Sequence, residues 1–271
     1  MITIKSAREI ETMATAGQIL AEALALVSGR VEPGVSTEQL DDLAEEYIRS
    51  HPGAQPSFKG LYDFPKSLCT SINNEIVHGI PSPDRILAEG DILSVDCGVC
   101  LEGLHADSAT TVPVGEVGAD TSRLLQVTRE SLEAGIRAAV LGNHVGDIGH
   151  AVQSVAEAAG YSVVRDLVGH GIGASFHEEP QVPNYGQPKR GPRLVAGMTI
   201  AIEPMVNAGG HEIKTLGDRW TIVTADNSLS AHFEHTVVIE DAGTRVLTFG
   251  LEEATGGVDG RQLDSRSSSH E

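Results

Sequence analysis

Two apolar stretches of this chain each enclose a carboxylate, and no strand can bury that pair unaided. Asp96 lies in Ile92-Leu93-Ser94-Val95-Asp96-Cys97, and Glu203 lies in Thr199-Ile200-Ala201-Ile202-Glu203-Pro204. Taking an unpaired carboxylate out of water costs several kcal/mol, or its pKa climbs until it neutralises. No Lys or Arg stands within six positions of Asp96, and the neighbours of Glu203 are apolar or small. An exposed strand face or a remote Arg would account for one such residue. Several together point to a metal cluster. The lead-in repeats as well: Leu87-x-x-Gly90 precedes Asp96 by six residues, and Leu194-x-x-Gly197 precedes Glu203 by six. Each copy reads turn, strand, carboxylate, which is what a duplicated half-domain predicts.

The elements around these runs are mixed. Ile10, Met13, Gly17, Leu20, Leu24 and Val27 step by three and four along one helix face, and Pro33-Gly34 stops it. Ser36 with Gln39 forms a capping-box pattern for a second helix carrying Leu40, Leu43, Tyr47 and Ile48, closed by His51-Pro52-Gly53. Residues 121–140 and 145–159 read as two more helices, with Asp147 as a cap of the latter and Gly160 as its stop. Strand-like runs are Ile92–Val95, Ser108–Val114, Val163–Val168, Thr199–Val206, Trp220–Thr224 and His235–Ile239. Helix pairs alternating with strand groups give an α+β class. With 271 residues and 40% apolar content, the chain can bury a large core without staples. From Leu251 the sequence turns Gly-, Ser- and charge-rich, so we expect a domain over 1–250 and a disordered tail over 251–271.

Net charge is −19, from 19 Lys+Arg against 38 Asp+Glu, which argues against nucleic acid and suits cationic ligands. The N-terminus lacks a basic region followed by an apolar run, and no uninterrupted stretch of ~18 apolar residues predicts a membrane span. Three cysteines cannot all pair. Cys97-x-x-Cys100 fits a redox or zinc half-site, but no second pair completes a zinc site, so Cys69, Cys97 and Cys100 read as free thiols of a cytoplasmic protein.

Three further residues extend the carboxylate pattern. Asp107 opens a strand, Glu234 leads into Thr236–Ile239, and His170 stands among glycines in Gly169-His170-Gly171-Ile172-Gly173. Asp96 and Asp107 are eleven apart with a bend at Gly103, a spacing that suits a hairpin aiming both at one centre. Four carboxylates and an imidazole suit hard divalent ions, and the imidazole also admits Fe, Co and Zn. Five ligands exceed one open catalytic zinc and match two ions sharing bridging carboxylates.

These residues carry a resemblance. His78-Gly79-Ile80-Pro81, Gly90-Asp91-Ile92 through Asp96, His170-Gly171-Ile172-Gly173, Phe176-His177-Glu178-Glu179-Pro180, Ile202-Glu203-Pro204-Met205 and Phe233-Glu234-His235-Thr236 occur in the order of the type I methionine aminopeptidases. The chain resembles that family from about Ile4 to Phe249. The resemblance implies the pita-bread fold: pseudo-two-fold duplicated α/β halves around a central antiparallel sheet. It implies two divalent ions (Mn, Fe, Co or Zn) on Asp96, Asp107, His170, Glu203 and Glu234. Asp107 and Glu234 would bridge both, Asp96 would chelate one, and His170 and Glu203 would hold the other. It further implies that a hydroxide bridging the ions attacks the peptide after an N-terminal Met whose next residue is small. Glu203 would double as general base, His177 would stabilise the oxyanion, and His78 would contact the leaving-side nitrogen. Phe58, Phe64, Cys69, Phe176 and Trp220 would wall the Met pocket. The partner implied is the N-terminal Met of nascent chains, met by a monomer with transient ribosome contact at most, and no membrane.

Leu61-Tyr62-Asp63-Phe64 replaces the usual Tyr-x-Gly-Phe, Asn73-Asn74-Glu75 replaces Asn-Glu, and Ala106 replaces a glycine. The first departure bears on the pocket rim, all three bear on fine specificity, and no ligand is lost. His51, His105, His144, His150, His211 and His232 read as structural, and His235 as support for Glu234 or its strand. The alternatives are a proline-specific peptidase of the same fold, which usually carries an added N-terminal domain, or an inactive binding relative, which would have lost ligands.

Overall fold

The computed structural model describes residues 2–249; the tail expected over 251–271 lies outside them. Helix α1 (Ala7–Ser28) is capped by Ser6 with Glu9, and α2 (Thr37–Arg49) by the expected Ser36–Gln39 box. Helices α3 (Ala119–Ala138) and α4 (Val145–Ala158) form the second pair. Asp147 is not the cap of α4. It sits one turn in, where its carboxylate accepts the backbone N–H of the capping residue His144 at 2.7 Å. Helix α1 is long and apolar enough to cross a membrane, with a mean hydropathy of 1.3 over its best window. That window is 56% buried inside the protein, which makes α1 a core helix.

The strands Ile92–Leu101 and Leu104–Pro113 form one long antiparallel hairpin, turned at Glu102 (φ 51°) and Gly103 (φ 79°). Side chains of a strand alternate between faces. Leu93, Val95, Cys97 and Val99 therefore pack under Leu20 and Leu24 of α1 and Leu40 and Ile48 of α2. Asp96 and Gly98 face the other way. Cys97 and Cys100, three apart, point to opposite faces, and all three cysteines are free thiols.

The strand starts of the second half repeat those of the first in their backbone hydrogen bonds. Gly90 N–H donates to Val114 O at 2.9 Å and Val114 N–H returns to Asp91 O at 2.8 Å. Correspondingly, Gly197 N–H donates to Ile239 O and Ile239 N–H returns to Met198 O, both at 2.9 Å. The inter-helix loops match too: Gly34 N–H reaches Leu87 O, and Gly142 N–H reaches Leu194 O. Both turn glycines are left-handed (φ 88° at Gly90, 83° at Gly197), which an L side chain resists. The repeated Leu-x-x-Gly lead-in thus marks two structurally equivalent strand starts. The halves join where Ala109 and Glu234 exchange backbone bonds of 2.9 and 3.4 Å.

Three expected strands are shorter than read, the simplest being Trp220–Thr224, which is strand only over Ile222–Thr224. Thr199–Val206 is split at Glu203-Pro204: Thr199–Ile202 belongs to a five-stranded sheet, and Met205–Asn207 to a three-stranded one. Proline brings no N–H, so a ladder cannot run through it. Of Val163–Val168 only Val163 belongs to a strand, Ser162–Val163, and Val164 N–H adds one bond to Met205 O at 3.0 Å.

Candidate metal centre and substrate pocket

The hairpin register sets the first two carboxylates. Gly98 faces Asp107 and Asp96 faces Ala109, so Asp96 and Asp107 are diagonal neighbours on one face, close enough to share a hydrogen bond. The seam between the halves sets the others. Thr236 Oγ1 accepts Asp107 N–H at 2.9 Å and donates to Asp107 O at 2.8 Å, while Ser108 Oγ donates to Glu234 O at 2.6 Å. Glu203 stands at the break before Pro204, where Asn184 Nδ2 donates to its carbonyl at 3.0 Å. The strand Gly169–Gly171 brings in His170. A Cβ on Gly171 would lie 2.3 Å from Glu179 O, so only glycine lets that strand approach.

These five side chains converge. Asp107, His170 and Glu234 each offer a ligand atom within 4.8 Å of the others. His170 Nε2 lies 3.8 Å from Asp107 Oδ2 and 3.7 Å from Glu203 Oε1. Such distances are too long for hydrogen bonds. They equal the ~3–4 Å separating two donors that each sit ~2.1 Å from a shared ion. His170 Nδ1 is 2.9 Å from Gly171 O, which takes its N–H and leaves Nε2 as a lone pair toward the carboxylates. Asp96 Oδ1, Asp107 Oδ1 and Glu234 Oε1 are buried with no hydrogen-bond partner. Among the described residues, the ion-pair partners of this cluster are histidines, never Lys or Arg. Orphaned oxygens and a free imidazole lone pair fit divalent cations.

Burial, and then mutual repulsion, pushes the carboxyls up. Asp96 rises to about 7, mainly by desolvation. Asp107, Glu203 and Glu234 are raised well above the carboxylate range by burial and by each other's charge. Burial lowers His170 and His78 to about 4, so both are neutral near pH 7. Without cations the carboxyls hold protons; a bound divalent ion would reverse the sign of their environment.

All the residues singled out in the sequence line one cavity: the five above with His78, His177, Phe58, Phe64, Cys69, Phe176 and Trp220. The aromatic wall is packed edge-to-face. Ring centroids are 5.3 Å apart for Phe58–Phe176 and 5.0 Å for Phe64–Trp220. His177 lies 4.5 Å from the His170 ring, and His78 lies 6.4 Å from Trp220. His78 holds φ 61°, a left-handed conformation that costs a non-glycine residue about 1 kcal/mol or more. Gly98 makes room for the wall, because a Cβ there would lie 2.8 Å from Phe176 Cε2 and 3.1 Å from Phe58 Cε1. Gly98→Thr should therefore destabilise the protein by about 1–3 kcal/mol and raise KM for peptide substrates. Urea unfolding and steady-state kinetics check this, and unchanged values for both would refute the packing role.

Two residues read as structural, His105 and His232, stand against the site, and the rim segment noted in the sequence supplies two lining residues. Leu61 and Tyr62 join its lining. Tyr62 stacks on His177 at 5.8 Å and 18°, its hydroxyl 3.4 Å from Nδ1. His105, read as structural, backs the wall: it bonds Ser57 Oγ at 2.9 Å and packs edge-on to Phe176. His232, also read as structural, is 1% exposed and its Nε2 lies 3.7 Å from Glu203 Oε2. One signal was present: His232 precedes Glu234 by two residues, the spacing of a shared strand face. His235 bonds Thr248 Oγ1 through Nδ1 at 2.9 Å, a tie to its own sheet edge.

The model of metallopeptidase family M24 matches residues 11–241. The chain belongs to metallopeptidase family M24. As a member it has the pita-bread fold and is a peptide-bond hydrolase that depends on divalent metal. It is 53% identical over 248 residues to the methionine aminopeptidase of Clostridium perfringens, covering 92% of this chain and 99% of that one. The crystal structure of methionine aminopeptidase from Rickettsia prowazekii superimposes with a TM-score of 0.90 at 42% identity, covering 92% of this chain and all of the other. Prolidase from Pyrococcus furiosus shares the fold, with a TM-score of 0.72 at 22% identity over 91% of this chain and 65% of its own.

Proposed function

We propose that this chain removes the N-terminal Met from new proteins when the second residue is small. The observation that carries the reading is the position of the ligand cluster at the foot of an apolar, aromatic-walled pocket. Phe58, Phe64, Phe176, Trp220 and Cys69 offer a thioether side chain the polarizable contacts it favours. Cys69 is a wall of that pocket, its thiol raised by burial and unsuited to act as a nucleophile.

Asp96, Asp107, His170, Glu203 and Glu234 would hold two divalent ions. Such ions, when bound, supply a water activated for attack and a Lewis acid for the scissile carbonyl. With the ions bound, Glu203 would serve as the base that receives a proton from the attacking water. His177 is neutral near pH 7, lowered by burial, and donates a ring N–H to the carbonyl oxygen as it gains charge. If the Tyr62 hydroxyl donates to Nδ1, the imidazole proton resides on Nε2. His78 bonds the peptide nitrogen on the leaving side. The aromatic wall excludes water from the thioether. The catalytic unit spans 1–250, acts in the cytoplasm as a monomer on nascent chains, and meets ribosomes only transiently. The free thiols support that compartment.

Met-Ala-Ser, Met-Leu-Ser and Ala-Pro-Ala peptides, assayed with Mn, Fe, Co and Zn in turn, test the reading. The expected result is Met release from the first peptide only. Cleavage of Ala-Pro-Ala in its place would favour the proline-specific alternative.

A further inference from the structure

The Glu203 carboxylate lies between two imidazoles that meet it in opposite ways. His170 Nε2 is 3.7 Å from Oε1, and His232 Nε2 is 3.7 Å from Oε2. His170 has its proton on Nδ1, committed to Gly171 O, so Nε2 and Oε1 are two acceptors facing each other. Such a pair coheres with a cation between them or, in the metal-free protein, with a proton on Glu203. His232 has no such commitment. Its ring is buried, and neither Nδ1 nor Nε2 has a hydrogen-bond partner. A neutral imidazole carries one N–H, and a buried N–H left unmade costs about 1–3 kcal/mol. The acceptor in front of Nε2 is Oε2 of Glu203, and closing the gap by about 0.8 Å makes an ordinary bond.

We propose that His232 is a positioning residue: its Nε2–H holds Oε2 of Glu203 and thereby presents Oε1 to the ion shared with His170. The inference rests on the ligand role given to Glu203 above and extends it to a residue outside the ligand set. One oxygen of Glu203 serves the ion, the other serves His232. Fixing the carboxylate through its second oxygen orders the site before the ion arrives, and partners of this kind change metal affinity by about 10–100-fold when lost. His232 reaches Glu203 because Met205–Asn207 and Ser230–His232 are paired strands, with Met205 opposite His232. That register sets the imidazole beside the residue two before Met205.

The test is calorimetric titration of chelated full-length protein with Mn2+, on wild type, His232→Gln, His232→Leu and Glu203→Ala. Gln keeps a donor; Leu fills similar volume without one. We expect Leu to weaken one of the two Mn2+ sites about 10–100-fold, and Gln to stay within about threefold of wild type. Turnover of Met-Ala-Ser should fall in the Leu variant with KM unchanged. Wild-type Mn2+ affinity in His232→Leu, or equal loss in Gln and Leu, would overturn the proposal. If His232→Leu fails to fold, wild type alone decides the matter. In Zn2+-loaded protein labelled with 15N-histidine, His232 should show a slowly exchanging Nε2–H, and a proton on Nδ1 would overturn the proposal. Mn2+ affinity does not depend on which peptide is cut, so an error in substrate leaves the test intact. Wild-type affinity in Glu203→Ala would mark failure of the underlying ligand assignment.

Discussion

Asp107→Asn or Glu234→Gln should lower kcat/KM on a Met-Ala-Ser peptide by about a thousandfold or more, the equivalent of about 4 kcal/mol of transition-state stabilisation. These two residues come from opposite halves of the molecule and meet at the seam between the Leu104–Pro113 strand and the segment before His235–Glu240. Both keep a buried oxygen without a partner. The amide variants preserve shape and remove charge, so the loss reports electrostatics and ligation, not packing. The same substitutions should raise the melting temperature of the chelated protein, because they remove carboxyls that burial and mutual repulsion penalise. Activity near the wild-type level in either variant would refute the proposed ligand role. A fall in stability together with activity would point to a structural role instead.

Chelation should abolish turnover and lower the melting temperature, and the drop should grow with pH. A carboxyl raised by burial keeps in the folded chain a proton that the unfolded chain gives up. Its contribution is full below the unfolded pKa and is lost as pH rises through the folded value. Asp96, at about 7, titrates between pH 6 and 8, and the other three carboxyls are raised well above the carboxylate range. The buried histidines act in the opposite sense: lowered to about 4 or 3, they cost stability as pH falls below their unfolded value near 6.5. Near that value the unfolded imidazoles are half protonated and still oppose the carboxyls; above about pH 7.5 they are mostly neutral in both states and the carboxyls set the slope. From about pH 7.5 upward, chelated protein should lose stability while metal-loaded protein does not. Ions at a hundredfold excess over Kd contribute about 2.7 kcal/mol, or roughly 5–10 °C for a chain this size. Differential scanning calorimetry of both forms at pH 6.5, 7.2 and 8.0 measures the gap. A gap that shrinks with pH would contradict the account.

Much of the centre was legible in the sequence because its chemistry violates its surroundings. Asp96 and Glu203 stand out since apolar strands do not hold acids without reason. The eleven-residue spacing of Asp96 and Asp107 works because the 101–104 turn puts Asp107 two residues from the partner of Asp96. The Leu-x-x-Gly echo was readable because both glycines meet the same steric demand. What escaped was set by contacts far apart in the chain. His232 looked like any strand histidine until the Met205–His232 register put it beside Glu203. Lys5 pairs with Glu178, the chain neighbour of His177, at 2.5 Å across 173 positions, both side chains nearly buried, and nothing local announces it. The strand break at Glu203-Pro204 was marked by the proline but masked by the apolar residues on either side. Val163–Val168 fell short as a strand because the exposed Arg165-Asp166 pair interrupts it after the two buried valines.

The central claim is that this five-residue cluster holds two divalent ions and that Met release depends on them. Stepwise addition of Mn2+ to chelated protein, with bound ions counted by calorimetry and Met release from Met-Ala-Ser followed in the same samples, tests it most directly. The account predicts two ions per chain, no Met release without metal, and release that appears as the ions bind. Undiminished Met release from the fully chelated protein, or activity restored while no Mn2+ binds, would contradict it.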